Sequence, residues 1–152
     1  MGQNRRAEQT AGARQRIWMA DELLDWGSVK RRALPKTILV VEDNEAIAHM
    51  LVEIVSLETP YKACLALTPS EALRLVAQQR PDLLLLDYYL PHMTGLQLYD
   101  RLRDLEGLQS VPAILLSANL PFHELKQRKI VALGKPFDLD KLLGAVEKQL
   151  GN

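Results

Sequence analysis

The sequence predicts an α/β fold in which helices cover both faces of a five-stranded parallel sheet. Short apolar runs alternate along the chain with segments whose apolar residues recur at helical spacing. The apolar runs lack polar alternation, which is typical of strands buried on both faces. With 152 residues, of which 47% are hydrophobic and 25% charged, the chain suits one ordinary core. Repeated strand-helix units of this kind favour parallel strands.

Five strands are predicted, and all but the last are marked by clear apolar runs. In chain order they are TILVVE at 37–42, YKACLAL at 61–67, DLLLLD at 82–87, VPAILLS at 111–117, and a short, poorly marked strand near 130–133. Cys64 falls in the second strand, where we interpret it as a small buried apolar residue.

A helix is predicted after each strand from the spacing of its apolar residues. The second helix begins with Thr68-Pro69-Ser70-Glu71, a capping box with proline in the first turn, and extends to about Gln79. The fourth must fit within 121–128, little more than two turns. Each of the other three helices has one apolar face. It is formed by Ile47, Met50, Leu51, Ile54 and Val55 in the first helix; by Leu96, Leu98, Tyr99, Leu102 and Leu105 in the third; and by Leu139, Leu142, Leu143, Val146 and Leu150 in the fifth.

Residues 1–36 differ in composition from residues 37–152. They carry eight basic and four acidic side chains, whereas the remaining 116 residues carry eleven basic and fifteen acidic ones. A polar, basic tail is followed by a short amphipathic helix, in which Met19, Leu23 and Trp26 form the apolar stripe. We therefore predict an N-terminal extension over 1–36 and a single domain over 37–152.

Overall composition excludes several classes of protein. The formal charge of zero gives no electrostatic case for direct nucleic-acid binding, and no apolar run approaches the ~20 residues of a membrane helix. A lone cysteine allows neither an internal disulfide nor a thiolate metal cluster, which favours a cytoplasmic location. The histidines at 49, 92 and 123 share no metal-binding spacing, so we interpret them as surface residues.

Chemically reactive side chains follow four of the five predicted strands. Glu42-Asp43 ends the first, Asp87 the third, Ser117 the fourth and Lys135 the fifth. Because the carboxyl ends of parallel strands meet at one edge of a sheet, these side chains are expected to lie together. Taken singly, each has an ordinary interpretation as a loop acid, a helix cap, a turn residue or a surface charge. Their joint placement at one edge favours a site.

Three neighbouring carboxylates would repel one another and raise at least one pKa unless a cation lies among them. Oxygen-only ligands favour Mg²⁺, which retains waters and accepts phosphate oxygens. Beside a lysine and a hydroxyl, such an ion would form a site for a phosphoryl group. We therefore predict that Asp87 is a nucleophile that accepts phosphate, with Lys135 and Ser117 neutralising charge on the phosphoryl oxygens.

These residues resemble the receiver domain of two-component response regulators. The matching motifs are Glu42-Asp43, the Asp87-Pro91-Gly95 spacing, Ser117-Ala118 and Lys135-Pro136, in that order over residues 37–150. The resemblance implies a CheY-like, flavodoxin-like sheet of strand order 2-1-3-4-5 and phosphoryl transfer to Asp87 from a histidine kinase or a histidine phosphotransfer protein. It also implies a cis Lys135-Pro136 peptide bond, a proline-specific option.

The resemblance further implies how Mg²⁺ would be held. Asp43, Asp87 and the Tyr89 backbone carbonyl would be its ligands, and Glu42 would act mostly through water. Lys135 would pair with the phosphate. We expect a stand-alone signalling domain that is phosphorylated, rather than an ordinary enzyme. Its output would be contact with an unidentified protein. Homodimer formation is left open.

Two features depart from the family pattern. The aromatic residue that family switching usually employs, three positions before the lysine, is replaced by Ala132. The segment from Ser117 to Lys135 is also about four residues shorter than the family pattern, which shortens the fourth helix. Both favour an alternative in which the chain is a phosphorylation-independent interaction module.

A flavin-binding protein and an aspartyl phosphatase fit less well. No hydroxyl-rich phosphate loop, which a flavin-binding protein would need, follows the first strand. Tyr89 stands where an aspartyl phosphatase needs a second acid.

Overall fold

The computed structural model describes residues 34–128 and 130–151. They form a five-stranded parallel sheet of order β2-β1-β3-β6-β7, and a separate two-stranded hairpin, β4-β5. The strands are β1 (Thr37–Val41), β2 (Lys62–Ala66), β3 (Leu83–Asp87), β4 (Tyr89–Leu90), β5 (Met93–Thr94), β6 (Ala113–Ser117) and β7 (Val131–Gly134). With the hairpin set aside, the order is the 2-1-3-4-5 order predicted, so the fold class is confirmed.

In the described part of the chain, five helices accompany the sheet: α1 (Glu45–Glu58), α2 (Pro69–Gln78), α3 (Gly95–Arg103), α4 (Phe122–Lys126) and α5 (Leu139–Leu150). The predicted cap of α2 is confirmed, since the Thr68 hydroxyl accepts a hydrogen bond from the Glu71 amide at 3.1 Å. The fourth helix is short as predicted, but its five residues make less than two turns. The predicted N-terminal amphipathic helix lies outside the described residues.

The central strands are buried on both faces, which explains their unbroken apolar sequences. Alternate residues of β3 point to opposite sides: Leu84 and Leu86 join one core, and Leu83 and Leu85 join the other. The first core contains buried residues of α2 and α3, and the second contains buried residues of α1 and α5. Helices therefore pack on both faces, as a doubly wound sheet requires.

Three details of the predicted helix faces are wrong. Met50 of α1 and Leu139 of α5 are each 42% exposed, and both line a groove between these helices. Leu105 lies beyond the end of α3 and is 39% exposed. Helical spacing locates an apolar stripe but not its edges, so residues at the margin of a stripe can face solvent.

No helix in the described part of the chain combines the length and apolar character that crossing a membrane requires. The three histidines are exposed, as predicted, and Cys64 is half-buried in β2, where it packs against the first core.

Candidate functional site

Main-chain hydrogen bonds continue the sheet one residue past three strands and so position the candidate site. The Glu42 amide donates to the Ala66 carbonyl at 3.1 Å, and the Tyr88 amide donates to the Leu116 carbonyl at 2.8 Å. The Lys135 amide donates to the Ser117 carbonyl, also at 2.8 Å. Residues that follow different strands are thereby held at the same edge of the sheet.

The three candidate metal-binding carboxylates lie together at this edge. One oxygen of each of Glu42, Asp43 and Asp87 lies within 4.8 Å of the others. Glu42 and Asp87 are only 2% and 5% exposed, whereas Asp43 is exposed at the mouth of the cluster. The Asn44 amide donates to Glu42 Oε2 at 3.2 Å, and Asn44 also caps α1 through its own side chain. The sequence-based expectation that these acids meet is confirmed.

Lys135 contacts two of these acids. Its Nζ atom lies 2.5 Å from Asp87 Oδ1 and 3.3 Å from Glu42 Oε1. The Lys135-Pro136 peptide bond is cis, as the resemblance implied. The lysine is therefore directed into the site, where its charge compensates part of the negative charge.

The surroundings shift the pKa values of Asp87, Glu42 and Lys135. Burial raises the pKa of Asp87, an effect that the nearby Lys135 ammonium opposes. Burial also raises the pKa of Glu42, against the Asn44 amide hydrogen bond. Burial alone would lower the pKa of Lys135, but its hydrogen bond to Asp87 and the neighbouring negative charges outweigh this and raise it. Burial therefore disfavours the charged forms of Asp87 and Glu42, even with Lys135 beside them.

Ser117 lies at the same edge but its hydroxyl is engaged elsewhere. The side chain is buried at the end of β6, where Ser117 Oγ donates to the Asn119 carbonyl at 2.6 Å and accepts from the Asn119 amide at 3.2 Å. To contact a phosphoryl group on Asp87, the hydroxyl would have to give up the Asn119 carbonyl. Its predicted role therefore requires the hydroxyl hydrogen bond to change its acceptor.

Three other residues named from the sequence surround the site. Tyr89 begins β4, two residues after Asp87, and its side chain is 60% exposed. Asn119 is exposed in the loop after β6. Ala132 lies within β7 and packs against the first core. The metal-binding role of the Tyr89 carbonyl stays a prediction.

The structure explains why Gly95 stands eight residues after Asp87. A Cβ atom at Gly95 would collide with the Asp87 carbonyl oxygen and would lie 3.1 Å from Leu115 Cδ1. The Gly95 amide, in turn, donates to the Tyr88 carbonyl at 2.7 Å. Glycine is required here because α3 begins directly against the end of β3.

Sequence reasoning missed a hydrogen-bonded connection between the site and α4. The Tyr88 hydroxyl donates to the Glu124 carboxylate, and Arg128 forms a bidentate ion pair with Asp100 of α3. It also missed the antiparallel β4-β5 hairpin, in which His92 adopts a positive φ of 68°. These are single long-range contacts and a tight turn, for which the sequence carries no periodic signal.

The fold is thus a parallel α/β domain with two buried acids, an exposed acid and a lysine at the carboxyl edge of its sheet. The model of the response regulator receiver domain matches residues 38–147. This chain therefore belongs to the response regulator receiver domain family.

Similar proteins agree with this assignment. Sporulation initiation phosphotransferase F of Bacillus subtilis is 31% identical over 117 residues, which are 74% of this chain and 92% of that protein. The polar-differentiation response regulator DivK of Brucella anthropi is 28% identical over 123 residues, covering 78% of this chain and 99% of DivK.

Solved structures show the same fold. The chemotaxis protein CheY4 of Vibrio cholerae superposes with a TM-score of 0.71 at 25% identity, covering 77% of this chain and all of CheY4. The receiver domain of the Francisella response regulator 1452 gives a TM-score of 0.66 at 27% identity, covering 75% and 95% of the two chains. The chain is thus a CheY-like receiver domain of two-component signalling.

Proposed function

We propose that this protein accepts a phosphoryl group on Asp87 from the phosphohistidine of a histidine kinase or a histidine phosphotransfer protein. The observation that carries the proposal is the buried Asp87 carboxylate, held by the Lys135 ammonium at 2.5 Å with Glu42 and Asp43 alongside. We assign residues 37–152 to the receiver domain and 1–36 to an N-terminal extension.

The charge of the site suits a divalent cation. Among the described residues, three carboxylates face one ammonium group, which leaves two negative charges to be balanced when all three are ionised. Asp43, Asp87 and the Tyr89 carbonyl would hold Mg²⁺, with Glu42 acting through water, because hard oxygen ligands are those that Mg²⁺ prefers. When bound, the ion would neutralise charge on the transferring phosphoryl group.

The residues of the chain itself would position and stabilise the reacting groups. A carboxylate oxygen of Asp87 forms a bond to phosphorus as the phosphorus-nitrogen bond of the donor histidine breaks, and the bonding electron pair stays on the imidazole nitrogen. Lys135 then balances the negative charge of the acyl phosphate, as electrostatic stabilisation of the transfer requires. Ser117 contributes a hydrogen bond once its hydroxyl has left Asn119.

The first test uses a small phosphodonor. Incubation with acetyl phosphate and Mg²⁺ is expected to add one phosphoryl group, seen in the intact mass. The adduct should be absent when Mg²⁺ is chelated and in Asp87→Asn, but present in Asp104→Asn, which changes an exposed acid at the end of α3. An adduct that survives Asp87→Asn would contradict the proposal.

A protein donor would also need to cover the surface beside Asp87. An apolar groove of about 620 Å³ adjoins the site there, and Lys135 forms part of its wall. Met50 of α1 and Phe137 line it, and the groove lies between α1 and the start of α5. Because this surface is continuous with the site, we propose it as the docking surface of the phosphodonor.

Charge introduced into this groove should impair transfer from a protein donor alone. Met50→Lys is expected to slow phosphotransfer from a histidine kinase about 10-fold, while acetyl phosphate still phosphorylates it normally. Leu57→Lys is the control, since Leu57 is 72% exposed on the same helix and does not line the groove. Purified kinases from the source organism would supply the donor. Equal transfer rates for both variants would rule out this docking surface.

The alternative is a phosphorylation-independent interaction module. Ala132 and the short α4 favour it, but the complete arrangement of Asp87, Lys135, Glu42 and Asp43 does not. The two functions separate in a binding experiment with a downstream partner. The module predicts equal affinity for wild type, Asp87→Asn and Mg²⁺-free protein, whereas the phosphoacceptor predicts that phosphorylation changes it.

A further inference from the structure

Tyr88 connects the end of β3 directly to α4. It follows Asp87 in the chain, and its hydroxyl lies 3.2 Å and 3.3 Å from the two carboxylate oxygens of Glu124. Glu124 lies in the middle of α4. The Tyr88 side chain therefore links the position next to Asp87 to α4, the helix that departs most from the family pattern.

The main chain of Tyr88 is fixed at both of its polar groups. Its amide donates to the Leu116 carbonyl of β6, and its carbonyl accepts from the Gly95 amide of α3. The ring packs against the first core and meets the Tyr89 ring edge to face, with 4.8 Å between centroids. The main chain of Tyr88 is thus held to β6 and α3, whereas its hydroxyl contact with Glu124 is exposed.

α4 itself is weakly held. It has five residues, none of them buried, and no side chain caps its first turn. A helix of this length is not stable alone, so tertiary contacts determine its position. Among the described residues, those contacts include the packing of Leu125 against the first core and the Tyr88 to Glu124 hydrogen bond. Arg128, two residues past the end of α4, donates to the Glu124 carbonyl and pairs with Asp100 of α3.

The loop that leads into α4 has a second link to the site. Ser117 donates to the Asn119 carbonyl, and Phe122 begins α4 three residues later. If the Ser117 hydroxyl turns toward a phosphoryl group, as the proposed function requires, this loop loses the hydrogen bond that Ser117 Oγ donates to it. The Tyr88 to Glu124 hydrogen bond is then a larger share of what restrains α4, and this bond is exposed.

We propose that the Tyr88 to Glu124 hydrogen bond holds α4 in its unphosphorylated position, and that phosphorylation of Asp87 releases α4 from it. The inference rests on the proposed function and adds the route by which the signal leaves the site. A contact made in only one of two states sets the equilibrium between them. Removing the hydrogen bond should therefore shift the equilibrium toward released α4 about 5-fold.

The test measures amide hydrogen exchange in residues 122–128 with and without beryllofluoride and Mg²⁺, which imitate the phosphoryl group. In wild type, beryllofluoride is expected to speed this exchange. In Tyr88→Phe, which keeps the ring and removes the hydroxyl, exchange should already be about 5-fold faster without beryllofluoride, and the further change should be small. Glu124→Gln keeps a hydrogen-bond acceptor, so its exchange rate without beryllofluoride is expected to lie between those of wild type and Tyr88→Phe.

A matched control comes from the other end of the sheet. The Tyr61 hydroxyl donates to Glu147 of α5 at 3.0 Å, so Tyr61→Phe removes the same kind of bond far along the strands from Asp87. The Tyr61→Phe variant should show wild-type amide exchange rates in residues 122–128. If Tyr88→Phe matches wild type, or Tyr61→Phe has the same effect as Tyr88→Phe, the coupling is wrong while the proposed function stands. If beryllofluoride leaves wild-type exchange around Asp87 unchanged, the proposed function and the coupling both fail.

Discussion

Lys135→Ala is expected to lower the free energy of unfolding of the metal-free protein by about 3 kcal/mol and to slow phosphorylation by acetyl phosphate about 100-fold. Lys135 contacts Asp87 and Glu42, whose carboxylates are both buried. Without the lysine, these two charges have no cationic partner in the described structure. The phosphoryl group on Asp87 would also lose a counter-charge during transfer.

The stability effect should depend on Mg²⁺, since a divalent cation at the same carboxylates replaces part of the lost charge. Urea unfolding with chelator and with Mg²⁺ measures this, and intact mass over time gives the phosphorylation rate. Lys148→Ala is the control, because Lys148 is exposed in the last turn of α5. If both variants unfolded and reacted alike, Lys135 would have no special part in the site.

Gly95→Ala is expected to lower the free energy of unfolding by about 3 kcal/mol. The added methyl group would meet the Asp87 carbonyl, a main-chain atom of β3 that cannot move without disturbing the sheet. The Leu115 side chain closes the other side. Either α3 shifts away from the sheet or the end of β3 moves, and both would disturb the position of Asp87.

The matched control is Gly144→Ala. Gly144 lies within α5, and a Cβ atom there would have no neighbour within 4 Å. Alanine is favoured over glycine inside a helix, so this change should raise the free energy of unfolding by about 0.5–1 kcal/mol. Thermal and urea unfolding compare the two variants. Equal stability for them would mean that α3 does not need its close approach to Asp87.

Most of the architecture could be predicted because it depends on repeated signals. Runs such as LLLL at 83–86 fill both cores at once, which is why they lack alternation. The meeting of Glu42, Asp87 and Lys135 followed from the rule that parallel strands share one carboxyl edge. The cis bond at Lys135-Pro136 came from the family resemblance and is confirmed.

What the sequence did not predict depends on single contacts. The Tyr88 to Glu124 bond joins residues 36 positions apart, and nothing in the local pattern of either one indicates the other. Met50 is exposed because it lines the groove between α1 and the start of α5, which periodicity does not specify. The hydroxyl direction of Ser117 is likewise a matter of one local hydrogen bond.

The most direct measurement is to locate the phosphoryl group chemically. Borohydride reduces an acyl phosphate of aspartate to homoserine, so protein treated with acetyl phosphate and Mg²⁺, then reduced and digested, can be sequenced by mass spectrometry. We predict homoserine at position 87, and its absence when Mg²⁺ is chelated. Homoserine at another aspartate, or an unmodified position 87 after treatment with Mg²⁺ present, would contradict the assignment of Asp87 as the phosphoacceptor.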